Sequence, residues 1–248
     1  MKISIITAVY NNRDTIAEAI RSVHSQTHPD KEHIVIDGLS TDGTLDIIRQ
    51  HAEGISTFVS EEDGGIYSAL NKGIAKATGD IVCFLHSDGL YFSDRVLEKV
   101  DAEFIRTGAD AVYGDIFYVD KSNLSKVVRN WKAGEFKSDS LRNGWMPPHP
   151  AFFVRRDIYK RLGSFDERFR IAGDYDCILR FLKSGELKLS YLPEPMINMR
   201  TGGASGRSLK NILIKSREDY RALKSNQVGG VTALLKKNLR KIPMMLFK

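Results

Sequence analysis

The sequence predicts an α/β fold built around a mainly parallel sheet. Three observations lead there. Apolar, β-branched runs recur near residues 3–9, 34–36 and 81–85. Segments with helical spacing alternate with them over the first hundred residues. The runs end in polar residues, among them Asp37 and Asp88. In parallel sheets such ends gather at the carboxyl edge, where α/β proteins bind ligands.

The elements follow in order. Residues 2–9 read as a buried first strand. Thr15 and Glu18 have capping-box spacing, and Ile16, Ala19, Ile20 and Val23 form one helical face behind them. Residues 34–37 are a second strand and 44–51 a short helix, with Asp42 placed to cap it. Residues 57–59 make a third strand, 66–77 a helix, 80–85 a fourth strand and 93–106 a helix. Beyond residue 109 the pattern changes. Residues 111–115 and 117–120 are two short strands with no room for a helix between them. Residues 151–154 form another strand, 156–162 and 175–183 are helices, and 187–192 are a late strand stopped by Pro193 and Pro195.

Composition narrows the function classes. The chain has 248 residues, enough for one large domain with a sizeable core. No apolar run approaches the roughly 20 residues that span a bilayer, and the N-terminus does not read as a signal peptide. Cys83 and Cys177 both sit in apolar patterns and are expected to be buried free thiols, so the chain reads as cytoplasmic. The net charge of +6 is uneven. Residues 205–248 hold 11 basic and two acidic residues, and the first 204 hold 26 basic against 29 acidic. A basic tail on an acidic body argues against nucleic acid and for a local anionic partner such as a membrane surface. Val231, Leu234, Leu235, Leu239 and Ile242 recur at helical spacing among lysines and arginines. Such a helix either lies on an anionic bilayer or packs on the body. No GxGxxG follows the first strand, which disfavours a dinucleotide-dependent dehydrogenase.

Several motifs occur together in a fixed order. They are Thr7-Ala8-Val9-Tyr10-Asn11, Asp37-Gly38-Leu39-Ser40-Thr41-Asp42-Gly43-Thr44, Gly65 through Gly73, Gly79-Asp80, His86-Ser87-Asp88, Gly163 through Glu167, and Gly173-Asp174-Tyr175-Asp176. On these residues the chain resembles the family 2 glycosyltransferases of the GT-A fold, most closely bacterial members that build cell-surface polysaccharides. The resemblance implies an α/β/α sandwich in residues 1–205, with a nucleotide-binding half (1–108) and a mixed-sheet acceptor half (109–205), followed by a basic helical tail (206–248). It implies an inverting transfer from a nucleotide sugar, UDP-linked, to a glycan or lipid-linked acceptor, with Mg²⁺ or Mn²⁺ as cofactor.

The resemblance also assigns candidate residues. Thr7, Val9 and Asn11 lie at the strand end beside the nucleotide, and Asp37 binds its base or ribose. Asp63, Asn71 and Lys72 flank the helix start near the diphosphate, although Lys72 also reads as an ordinary solvated charge. His86, Ser87 and Asp88 occupy the place of the metal-binding Asp-x-Asp motif, with His86 replacing its first carboxylate and Asp88 as the metal ligand. Asp174 is the candidate base, with Gly173 where the family carries Glu; capping the helix is compatible with that role. Trp145 and His149 lie in a candidate acceptor loop, where Trp145 either stacks on sugar or packs in the core. Arg200 opens a glycine-rich loop suited to covering the diphosphate. The replacements at His86 and Gly173 keep open a catalytically impaired binding protein of the same fold.

Overall fold

A computed structural model describes residues 1–202 and 209–239 of the chain. Four parallel strands form one side of its sheet: β1 (Ile3–Val9), β2 (Lys31–Asp37), β3 (Thr57–Ser60) and β4 (Ile81–Phe84), in the order β3-β2-β1-β4. The sheet continues through β8 (Phe152–Arg155), antiparallel to β4, and β6 (Ala111–Val119), antiparallel to β8. Then come β9 (Leu189–Arg200), parallel to β6, and β5 (Gly89–Tyr91), antiparallel to β9. β7 (Val127–Trp131) pairs with the distal half of β6.

Helices cover both faces, which is why the central strands β1 and β4 are buried along their whole length. Ile6, Val82 and Phe84 pack with α3 (Ile66–Lys76), α5 (Arg156–Leu162) and α6 (Gly173–Lys183). Their neighbours Ile5, Ile81 and Cys83 pack on the other face with α1 (Ile16–His24) and α4 (Val96–Thr107). α2 (Thr44–Gln50) closes the β2 edge through Ile48. α3 lies close on β1, since a Cβ on Gly73 would sit 2.4 Å from Ile6 Cγ2. Cys83 and Cys177 are buried and free, as expected.

Three local expectations are corrected. Residues 111–119 form one strand, because Met196 fills the space beside Gly114, 2.6 Å from where a Cβ would stand. β9 runs straight through Pro193 and Pro195. Its register steps from Leu192 opposite Gly114 to Pro195 opposite Asp115, a bulge in which proline removes no ladder bond. Thr15 and Glu18 make no capping box, as the helix start has no side-chain cap. Both side chains are spent on the functional edge instead.

α7 (Leu209–Ser225) and α8 (Val231–Leu239) pack on the body. Glu218 of α7 accepts the backbone N–H groups of Arg170, Ile171 and Ala172 at 2.8, 2.8 and 2.9 Å. Lys237 of α8 is buried, 2.6 Å from Asp219 Oδ1 and with its ammonium 3.0 Å from the Tyr175 ring centroid. Among the described residues the tail thus adopts the packed arrangement. Val231, Leu235 and Leu239 remain exposed on the outer side of α8. No helix among the described residues is long and apolar enough to cross a membrane.

Candidate active site

The ends of β1, β2 and β4 open on one edge. Asp37 closes β2 and is fully buried. Its Oδ2 accepts from Ser40 N (3.0 Å) and Ser60 Oγ (2.8 Å), while Oδ1 has no partner among the described residues. A buried carboxylate oxygen left bare is costly unless a ligand fills it. A Cβ on Gly38 would lie 2.7 Å from Asp63 Oδ2 and 3.4 Å from the Tyr10 ring, so glycine lets both approach Asp37. Tyr10 is 65% exposed, a free aromatic face beside Asp37 that motif reading passed over.

The other donor-side candidates support this edge. Thr7 is buried, with Oγ1 3.0 Å from His33 Nε2, and Val9 is buried beside α1. Asn11 adopts a left-handed φ of 45° and accepts from Thr41 N at 2.8 Å, tying the first strand end to the second. Asp63 accepts from Gly65 N at 2.8 Å. Asn71 spends its amide on Phe165 N, Phe165 O and Glu167, fixing the loop before α6. Lys72 pairs with Glu61 (2.9 Å) and donates to Glu62 O (2.8 Å), which engages it with the neighbouring loop.

The His86-Ser87-Asp88 turn is clamped from three sides. Thr15 Oγ1 donates to Ser87 O (2.8 Å), and Asn12 Nδ2 to Ser87 Oγ (2.7 Å). Arg200, buried at the end of β9, donates to Asp88 O (3.0 Å) and pairs with Glu18 Oε2 (2.7 Å). Arg200 therefore sits beneath the turn; Gly203, Ala204 and Ser205 of its glycine-rich loop lie outside the described residues. The clamps use the turn's backbone and leave the Asp88 carboxylate without a partner among the described residues. No three His, Cys, Asp or Glu there are grouped to hold a metal by themselves. One free carboxylate still fits Mg²⁺ or Mn²⁺, which complete their shell with substrate phosphates and water.

Asp174 stands in the first turn of α6 and accepts from Tyr175 N (2.8 Å) and from the Tyr67 hydroxyl (3.4 Å). Tyr67 also donates to Ile171 O at 2.6 Å. Its ring explains Gly173: a Cβ there would lie 2.8 Å from Tyr67 Cε2. The Tyr67 ring from α3 thus fills the space that a side chain at Gly173 would need, a contact that no local spacing announces. Burial pushes the Asp174 pKa upward, but His149, Lys215, Lys237 and the Tyr175 N–H outweigh it and hold the carboxyl below its usual value.

His149 joins the two groups. Its ring is stacked on Phe84 at 5.0 Å and lies 5.8 Å from His86, and its Nε2 is buried without a hydrogen-bond partner among the described residues. Trp145 is core packing. It is buried against Tyr113 and Phe136, and its N–H donates to Ala133 O at 2.7 Å.

Two neutral imidazoles give a pH signature. Burial, helped by His24, lowers His33 to about 3. Burial lowers His149 to about 4, with Asp174 opposing and His86 assisting. Unfolded imidazoles titrate near 6.5. Below that pH the unfolded chain gains protons that the folded chain refuses, so stability falls. The slope approaches about 1.4 kcal/mol per pH unit for each group until its folded pKa is reached. Denaturant unfolding between roughly pH 7 and 5 should show it. His149→Gln should remove that group's share of the slope, and an unchanged slope would contradict a neutral His149.

Comparison with known proteins places this geometry in a family. The model of glycosyl transferase family 2 matches residues 4–163. The chain belongs to glycosyl transferase family 2. It is 31% identical over 194 residues to a PGL/p-HBAD biosynthesis glycosyltransferase of Mycobacterium bovis, covering 76% of this chain and 73% of that one. It is 34% identical over 145 residues to a putative teichuronic acid biosynthesis glycosyltransferase, TuaG, of Bacillus subtilis, covering 57% of each. In structure it resembles S. aureus TarS 1-349 in complex with UDP-GlcNAc, with a TM-score of 0.72 at 19% identity. That match covers 92% of this chain and 66% of the other, just under two thirds. It also resembles the mannosyltransferase PcManGT of Pyrobaculum calidifontis in complex with GDP-Man and Mn2+, with a TM-score of 0.69 at 19% identity over 99% and 73% of the two chains. The fold of this family 2 chain is GT-A.

Proposed function

We propose that this family 2 enzyme transfers a sugar from a UDP-sugar to a glycan or lipid-linked acceptor in cell-surface polysaccharide biosynthesis, with inversion at the anomeric carbon. One observation carries the reading: the Asp88 turn and Asp174, distant in the chain, approach each other through His86 and His149. The uncommitted oxygen of Asp37 suits a base N–H or ribose hydroxyl, and the Tyr10 ring suits the face of the base. The TuaG and TarS likenesses support the polymer setting and the UDP donor.

Asp174 takes the proton from the acceptor hydroxyl while its oxygen bonds to the anomeric carbon and the bond to the diphosphate breaks. Asp88, with the donor diphosphate, would hold a divalent cation, which would supply charge neutralisation at the leaving group. Arg200, Thr15 and Asn12 keep the turn in place.

A panel of UDP- and GDP-sugars, read by thermal shift with and without Mn²⁺ and then by nucleoside diphosphate release, tests the reading. Stabilisation by a donor with release on adding acceptor supports it; donor binding without turnover across a broad acceptor screen favours the binding-protein alternative. The exposed apolar stripe of α8, beside basic residues, supports peripheral contact with an anionic bilayer. Leu235→Glu should then weaken co-sedimentation with anionic vesicles, and unchanged binding would refute the contact.

A further inference from the structure

A row of residues crosses four strands away from the Asp88 turn. Gly89 of β5 pairs with Met199 of β9, Met199 with Tyr118 of β6, and Tyr118 with Arg129 of β7. Residues directly opposite each other across strands share a face. This face is the one towards the turn: a Cβ on Gly89 would lie 3.2 Å from Met199 Sδ and 3.3 Å from His86 O.

Arg129 ends the row half-buried. Its guanidinium lies 3.9 Å over the Tyr118 ring centroid and 5.8 Å from that of Trp131. Nε is sealed from solvent without a hydrogen-bond partner, and no carboxylate among the described residues pairs with it. Arg155, Arg156, Arg180 and Arg200, by contrast, all donate to backbone carbonyls. A half-buried guanidinium stacked on rings, with no carboxylate among the described residues to neutralise it, suits an anion.

Position identifies whose anion it is. Three strand spacings separate Arg129 from Gly89, about 14 Å. A donor diphosphate beside Asp88 would lie at the opposite end of this row from Arg129. Arg129, Asp174 and Lys215 all act on the Tyr118 hydroxyl, which puts Arg129 on the same side as Asp174. We infer that Arg129 binds a phosphate carried by the acceptor, either the headgroup of a lipid phosphate or a phosphodiester of a growing polymer. The word "acceptor" rests on the sugar-transfer reading; the anion site itself does not.

The test keeps the two apart. UDP and Mn²⁺ are added first to fill the donor site, and their affinity is measured calorimetrically. Geranyl phosphate, glycerol 3-phosphate and inorganic phosphate are then titrated into wild-type, Arg129→Gln and Arg129→Lys protein. Failure of UDP to bind counts against the sugar-transfer reading alone. Saturable binding of a phosphate to the UDP-loaded protein, weakened roughly 10- to 100-fold in Arg129→Gln with UDP affinity unchanged, supports the site. Preference for geranyl phosphate marks a lipid headgroup, and preference for glycerol 3-phosphate a polymer. Arg129→Lys should fall between, having the charge without the fork. If Arg129→Gln does not fold, protection of Arg129 from phenylglyoxal by the same phosphates in wild-type protein decides. A purely structural stack would lower the melting temperature without changing phosphate affinity. No saturable binding up to roughly 10 mM, equal affinity in the variant, or no protection overturns the inference.

Discussion

Asp174→Asn is expected to lower kcat about a thousandfold while leaving UDP affinity unchanged. The amide keeps the shape and can still accept from the Tyr67 hydroxyl and the Tyr175 N–H, so the first turn of α6 should persist. What it loses is the capacity to take a proton. Asp174 makes no hydrogen bond to the His86-Ser87-Asp88 turn among the described residues, so donor binding is expected not to need it. Steady-state UDP release and calorimetric UDP binding, measured side by side, check the result. Equal losses in both would show that Asp174 belongs to the donor site. The lowered pKa of Asp174 adds a pH expectation. The base stays ionised well below neutrality, so its own titration should not set an acid limb in the neutral range.

Asp88→Ala should weaken donor binding by roughly 10- to 100-fold and remove the response to Mn²⁺, because it deletes the uncommitted carboxylate of the turn. Arg200→Lys separates the ligand from its support. Lysine retains charge but cannot bridge the Asp88 carbonyl and Glu18 at once. The Mn²⁺ midpoint should rise about tenfold with kcat at saturating metal nearly kept. Thermal shift and turnover across a Mn²⁺ titration distinguish the two variants. A fall in saturated kcat as large for Arg200→Lys as for Asp88→Ala would mean that Arg200 touches substrate.

The first half of the fold was legible because its strands are buried on both faces and its helices carry one apolar stripe. The acceptor half was harder. β7 reads Val127-Val128-Arg129-Asn130-Trp131, with too little alternation to announce a strand, and Arg129 was overlooked with it. β9 carries two prolines that normally end a strand; its bulge tolerates them, but the bulge depends on β6. Side-chain roles divided in the same way. Asp37, Asp88 and Asp174 stand where strand ends and a helix start put them, so motif spacing located them. Trp145 was ambiguous because stacking and packing ask for the same residue. Glu18 looked like a cap because Arg200, its real partner, is remote in sequence. The Tyr67 ring beside Gly173 was invisible because the contact runs between two helices remote in sequence.

Glu218 gives the chain a particular modularity. Its carboxylate gathers the three N–H groups that lead into α6, so the aim of Asp174 is set from α7. Both elements fall outside residues 4–163, the span shared with the family model. Chimeras of two relatives joined near residue 163 would take Glu218 and the start of α6 from the same parent. A junction between α6 and α7 would part the base from the carboxylate that orients it, and such a hybrid would hold its donor with nothing to trigger the transfer.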